Sequence, residues 1–480
     1  MKPDSIFHPE TSQCSHPDAA AEIAGLLQTR RQFLTRFGMG LGFVGLASLL
    51  GQGTPAEGAI LSPLAPRKPP LVPKAKRLLH LFAQGAPSHI DTFDPKPELI
   101  KANGKPMAEF DGVAFGSPFQ FSKHGQSGIE MSEVFPQLAG HADEMCVIRS
   151  MWTDIPDHVF STFMMSTGQG RLPRPSLGAW VVYGLGSENQ NLPGYIALAP
   201  GAIPFGNQNL RAAFLPGACQ GTHINTTQSD VEKLIENIRN HYVTSSEQRA
   251  QLDLVSKLNS RFKTDDALEA RVQSFELAFQ MQVEATDAFD ISKEPEAIRT
   301  RYQADTPQGR QMLIARRLLE RGVRVVQAWH TGWDHHQELE KSLRKKAGEC
   351  DGPIAALLTD LKERGLLDET LVLWGGEFGR MPRRQLPTGS IKLETPPGRD
   401  HNAKGFTAWL AGGGIKGGMA YGATDSLGYM AAENKVHVHD LHATILRLLG
   451  FDHEKLTYRY NGRDFRLTDV YGSVVKDIIA

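Results

Sequence analysis

Apolar runs of strand length that break off into glycine-flanked polar turns recur along this chain, and they restrict its fold more than any other feature. Arg77-Leu78-Leu79-His80-Leu81-Phe82-Ala83 stops at Gln84-Gly85-Ala86-Pro87, and Gly322 to Trp329 runs into His330-Thr331-Gly332-Trp333-Asp334-His335-His336. Leu371 to Trp374 runs into Gly375-Gly376-Glu377-Phe378-Gly379-Arg380, and Phe406 to Leu410 runs into a glycine-rich turn. Short continuous apolar runs bounded by turn residues predict strands buried on both faces. Helical stretches lie between and after them. Asp351 to Arg364 sets Ile354, Leu357, Leu358 and Leu361 on one face, and Asp440 to Leu449 does the same with Ile445, Leu448 and Leu449 before Gly450. Strands alternating with helices predict an α/β fold, a doubly wound and mostly parallel sheet with helices on both faces. In such sheets chemistry gathers beyond the carboxyl ends of the strands.

The N-terminus is outside that pattern. Thr29-Arg30-Arg31-Gln32-Phe33-Leu34 is followed by the uncharged stretch Phe37 to Leu50 and by Ala56-Glu57-Gly58-Ala59. Charge, apolar run and cleavage zone in that order make a secretory leader, and paired arginines are the receptor-read address of the twin-arginine route. The apolar run is too short and glycine-rich for a membrane span, which needs about 20 apolar residues. Residues 1–59 are therefore read as a twin-arginine signal region, 60–75 as a Pro-rich linker and 76–480 as one domain. The expectation is a periplasmic or extracellular protein, handled by the twin-arginine translocation machinery, with no membrane span in its mature form.

From Ser229 to about Ser292 the chain is polar. A capping signature at Thr244-Ser245-Ser246-Glu247 and apolar spacing through Leu252, Val255 and Leu258 predict a helical insertion (about 229–292) that packs on the sheet. The formal net charge of -1 gives nucleic-acid binding nothing to rest on. Beyond the leader, Cys146, Cys219 and Cys350 are an odd, widely spaced set. They form neither a disulfide framework nor a zinc knot, though one bridge stays open in an oxidising compartment. Gly412 to Gly418 lacks the spacing of a phosphate-cradling loop, and no Gly-x-Ser-x-Gly elbow is present.

Four clusters hold an excess of His, Asp and Glu. They are Ser88-His89-Ile90-Asp91 with Asp94; Asp154-Ile155-Pro156-Asp157-His158; Asp334-His335-His336; and Glu377 with Gly398-Arg399-Asp400-His401. Carboxylates and imidazoles converging on one point suit a divalent ion that takes N and O ligands. Two such ions a few ångströms apart can clamp both oxygens of a phosphoryl-type displacement.

Several of these runs occur together in a known family. The stretch 84–97 (QGAPSHIDTFDPKP), the GWDHH of 332–336, GEFGR at 376–380, GRDH at 398–401, LAGGGIKGG followed by YGATD, and DLHATILRLLG resemble the bacterial DUF1501 family. That family is usually twin-arginine exported and often labelled sulfatase-like, and it resembles the alkaline phosphatase superfamily. The resemblance implies an alkaline-phosphatase-like fold and a metal-dependent hydrolase of sulfate or phosphate esters, on a small-molecule or polysaccharide substrate. It implies one or two divalent ions (Zn, Ca, Mg or Mn) held by Asp91, Asp334, His336, Glu377 and His401. Where the superfamily has an aspartate-histidine-glycine motif, this chain has Glu377-Phe378-Gly379. Counting back nine residues from Thr167-Gly168 puts His158 where the superfamily has its Ser, Thr or Cys nucleophile, and leaves Arg380 or Arg399 to contact the anion. The alternative is a non-catalytic binding or structural component of the cell envelope on a degenerate scaffold.

Overall fold

The computed structural model describes residues 64–228, 230–234, 242–262, 272, 275–276, 279, 287–387 and 395–480. The expected signal region at 1–59 and much of the expected insertion lie outside the described residues. The chain divides into two compact units, residues 1–58 with 240–269, and residues 59–239 with 270–480. In the first unit the described part is residues 242–262, which hold the helix Ser245–Phe262. Its start is the capping box read from the sequence. Thr244 N donates to Glu247 Oε2 (2.7 Å) while Glu247 N donates to Thr244 Oγ1 (3.3 Å).

The second unit is built on a nine-stranded sheet. Its strands are β1 (Arg77–Gln84), β2 (Met145–Trp152), β3 (Tyr195–Ala199), β4 (Thr222–Asn225), β5 (Val325–Thr331), β6 (Thr370–Gly375), β7 (Phe406–Ala411), β8 (Met419–Tyr421) and β9 (Val436–His437). The spatial order is β8-β2-β7-β6-β1-β5-β3-β4, with β9 also paired to β2. β1 lies between β5 and β6 and is parallel to both. Only β7 runs against its neighbours β2 and β6, so the sheet is mostly parallel, as an α/β chain requires.

Side chains alternate between the two faces. From β1, Leu79, Leu81 and Ala83 enter one core together with α3 (Pro307–Glu320) and α4 (Leu339–Glu363). Leu78 and Phe82 enter the other, with α1 (His158–Thr167), α2 (Leu177–Leu185) and α5 (Val438–Leu448). Period-two alternation on a strand covered on both faces produces the continuous apolar run seen in the sequence.

α4 begins twelve residues before the expected start at Asp351 and carries Pro353 inside it. The Asp-Gly-Pro run resembles a helix start, but Asp351 caps a different segment, accepting from Gln137 N (3.0 Å) and Leu138 N (2.8 Å). Gly352 lies against the side-chain ends of Gln303 and Gln137, 2.4 and 3.0 Å from where a Cβ would stand. Within the expected linker, Arg67 N bonds to Leu185 O and Lys74 N to Leu448 O, so residues 64–75 lie along the ends of α2 and α5. Cys146, Cys219 and Cys350 are all free and buried. No helix among the described residues is long and apolar enough to cross a membrane.

A candidate metal centre

Close backbone approach brings the strand-end loops together. Gly85, at φ 111°, ends β1 against the loop after β5, and a Cβ there would lie 2.6 Å from Asp334 N and 2.7 Å from Trp333 N. Glycine is the residue that fits this left-handed, crowded position. Trp333 N donates to Gln84 O (3.1 Å), which fixes Asp334 beyond the two strand ends. Gly398 packs as tightly on the other side, where a Cβ would meet His336 C at 2.2 Å. The short antiparallel pair Gly379–Arg380 with His401–Asn402 then sets His401 opposite Arg380. α1 supplies the last group. Asp157 caps it by accepting from Phe160 N (3.1 Å), and His158 is its first residue.

Three imidazoles meet one carboxylate. His158 Nε2 is 3.2 Å, His336 Nε2 3.0 Å and His401 Nε2 3.5 Å from the same oxygen, Asp334 Oδ1. One ligand atom from each of these four residues lies within 4.8 Å of every other. Each histidine is held from behind at Nδ1: His158 by Glu377 Oε1 (2.6 Å), His336 by Gln385 Oε1 (2.7 Å) and His401 by Pro156 O (3.0 Å). An acceptor at Nδ1 selects the tautomer whose Nε2 presents a lone pair, which is how metal-binding histidines are oriented. Two such nitrogens, of His336 and His401, are 3.0 Å apart. Lone pairs that close repel unless a cation or proton lies between them. The donor set therefore fits a divalent ion taking N and O ligands. Phe378, buried, sits beneath two of the rings, 4.9 Å from the His158 centroid and 4.8 Å from that of His401.

The electrostatics follow from the same contacts. Burial alone lowers the His158 pKa, but hydrogen bonds to Asp334 and Glu377 outweigh it and raise the pKa to about 9. His336 is raised chiefly by its bond to Asp334, against burial. For Asp334 burial acts upward, yet the three histidines and Arg380 hold its carboxyl far below the usual range.

The other residues expected at the site are not among its four donors, though Glu377 and Arg380 touch it from behind. Asp91 is fully buried and bound at both oxygens by Arg399, Nε to Oδ2 at 2.6 Å and Nη2 to Oδ1 at 3.0 Å, with Ser88 Oγ also donating to it. Arg399, expected to contact an anion, also donates from Nη1 to Phe115 O (2.7 Å) and Met381 O (3.4 Å) and has no solvent exposure. A fully buried carboxylate needs a fully buried partner, and here each residue serves the other. Arg380 is equally committed, donating to Ala86 O (2.9 Å), Arg399 O (3.1 Å), Gly85 O and Asp334. Glu377 is buried behind His158, and Gly85 N donates to both of its oxygens at 3.0 and 3.2 Å. His335, between two members of the centre in sequence, turns into the protein beside Trp333, where burial lowers its pKa to about 4. Gln385 and the Pro156 carbonyl were missed in the sequence, where a lone loop glutamine and a backbone oxygen give no signal.

The family described as "Protein of unknown function (DUF1501)" matches residues 75–479. Among curated proteins none matches. The chain aligns with the lipoteichoic acid synthase LtaP from Listeria monocytogenes at 10% identity and a TM-score of 0.37, covering 82% of this chain and 74% of that one. It aligns with the PsFucS1 sulfatase from Pseudoalteromonas sp. at 14% identity and 0.33, covering 81% and 69%. A third alignment, to alkaline phosphatase from the Antarctic bacterium TAB5, has 11% identity and a TM-score of 0.32, covering 78% and 98%. At such distances a functional reading has to rest on the geometry of the centre itself.

Proposed function

This chain belongs to the DUF1501 family, and from that premise we propose that it is an exported, metal-dependent hydrolase of sulfate or phosphate esters. His158, Asp334, His336 and His401 would hold one divalent ion. The observation that carries the reading is the convergence of three Nε2 atoms on Asp334 Oδ1, each ring held at Nδ1 by its own acceptor. Three imidazoles and a carboxylate favour zinc or manganese over calcium, which takes six to eight oxygens, and over magnesium. A bound ion would supply Lewis-acid polarisation of an ester oxygen.

The chain's own residues divide the remaining work. Glu377 keeps a proton on His158 Nδ1, so the proton a metal displaces is the one on Nε2, whose lone pair then faces the ion; this supports a ligand role over the nucleophile role suggested by sequence position. Ser161, one turn on, donates its hydroxyl to Ile155 O, so the attacking oxygen is assigned to water. α1 begins at His158; Asp157 takes the Phe160 amide, and the His158 and Val159 amides have no acceptor within the helix. They present partial positive charge where an anionic ester would bind. Asp91, Arg380 and Arg399 are assigned to holding the loops in place.

Export by the twin-arginine machinery to the periplasm or beyond remains part of the proposal, on the strength of the Arg30-Arg31 leader. A small molecule or polysaccharide is the expected substrate. One observation favours the rival reading of a non-catalytic envelope component: both guanidiniums near the centre are buried and already committed to protein acceptors. The two readings separate in one assay. Zinc- or manganese-loaded protein is offered a panel of sulfate and phosphate esters, beside its chelator-treated form and a His336→Ala variant. Turnover that needs both metal and His336 supports the hydrolase. Metal uptake without any turnover supports the rival.

A further inference from the structure

We propose that the centre selects substrates by charge, accepting tetrahedral esters with a single negative charge (sulfate monoesters or phosphodiesters) in preference to dianionic phosphate monoesters. The inference rests on the reading of the four-residue cluster as a divalent-ion site and narrows what that site takes.

The argument is a count of fixed charge. Two carboxylates act on the cluster, Asp334 within it and Glu377 behind His158. One guanidinium, Arg380, acts on Asp334. The imidazoles are neutral when they serve as ligands. With a divalent ion added, the centre holds one net positive charge. The next neighbours cancel in pairs, Asp91 with Arg399 and Asp400 with Arg383. The N-terminus of α1 contributes about half a positive charge more, and the Asp157 carboxylate that caps it offsets this.

Neither guanidinium can be recruited for a second negative charge. Arg380 is 1% exposed and donates to Ala86 O, Arg399 O, Gly85 O and Asp334. Arg399 has no exposure, and its donors go to Asp91, Phe115 O and Met381 O. Attraction to a single positive charge grows in proportion to the substrate's charge, whereas the cost of taking that charge out of water grows with its square. A monoanion leaves the complex near neutral. A dianion leaves a negative charge without a partner in a half-enclosed site.

The test titrates cobalt-loaded full-length chain at pH 8 with methyl sulfate, dimethyl phosphate and methyl phosphate, reading the visible spectrum of the cobalt. At that pH methyl phosphate is a dianion, since its second pKa is about 6. The two monoanions distinguish a sulfate-ester site from a phosphodiester site. At least one of them is expected to bind about tenfold or more tighter than methyl phosphate. Glu377→Gln removes one negative charge, and the affinity ratio should then move about tenfold toward methyl phosphate, a change of ratio that a merely loosened site would not produce. Tightest binding of methyl phosphate to the wild type overturns the proposal and leaves the ion site standing, as does a ratio unmoved by Glu377→Gln. A protein that takes up no cobalt overturns the ion site and this inference with it.

Discussion

Glu377 Oε1 lies 2.6 Å from His158 Nδ1, while the other nitrogen of the same ring faces Asp334 Oδ1 at 3.2 Å. One imidazole is thereby held between a buried carboxylate that orients it and a partly exposed one that shares its target. The arrangement assigns distinct duties to the two acids, and the consequences can be measured.

Glu377→Ala removes the acceptor from His158 Nδ1 and from Gly85 N. Zinc affinity, measured against a competing chelator, should fall about 10–100-fold. Stability should fall by about 1–3 kcal/mol, because a buried donor loses its partner. An affinity within twofold of the wild type would contradict the orienting role.

Asp91→Ala leaves the buried Arg399 guanidinium uncompensated. Urea unfolding should show a loss of about 3–5 kcal/mol. Metal content per folded chain should stay the same, since Asp91 is bound at both oxygens by Arg399. Loss of metal from folded Asp91→Ala protein would restore Asp91 as a ligand.

His158 makes metal binding depend on pH. Its folded pKa of about 9 lies above the unfolded value of 6.5, so a metal must displace a proton at neutral pH. Zinc affinity should rise about tenfold per pH unit toward pH 9. In metal-free protein the protonated ring stabilises the fold. That contribution, at most about 3 kcal/mol, is fully present below pH 6.5 and is lost as pH rises through 9. His158→Gln should flatten both profiles, and a wild-type affinity independent of pH would refute the assignment.

His80 and His442 act in the opposite direction and in a separate window. Burial lowers both to about 3, so the unfolded chain binds protons that the fold refuses. The stability they permit is present above pH 6.5 and is lost as pH falls toward 3. At pH 5 each should cost about 2 kcal/mol. Urea unfolding at pH 7 and pH 5 checks this, with His442→Gln expected to remove about 2 kcal/mol of the difference.

Much of the architecture was legible because β1, β5, β6 and β7 are buried on both faces and read as unbroken apolar runs, each ending in a turn. The antiparallel direction of β7 was not legible, since a buried strand carries no mark of its direction. At the centre, Asp334 and His336 stood out as polar residues just past a strand end, His158 at a helix start and His401 in a glycine-flanked loop before a strand. Side-chain direction did not stand out. Asp91 belongs to a similar cluster, but the short helix His89–Thr92 turns it toward Arg399. Asp334, His335 and His336 are consecutive, yet the middle ring turns inward while its neighbours converge on the centre. Spacing in the chain locates a loop, and only the packing of several loops decides which of its side chains meet.

The most direct measurement is X-ray absorption at the metal edge on protein loaded with zinc. The expected spectrum has a first shell of nitrogen and oxygen at about 2.0–2.1 Å and the outer-shell scattering of three imidazoles, falling to two in His401→Ala. No bound zinc, or a shell of oxygens with no imidazole scattering, would contradict the centre formed by His158, Asp334, His336 and His401.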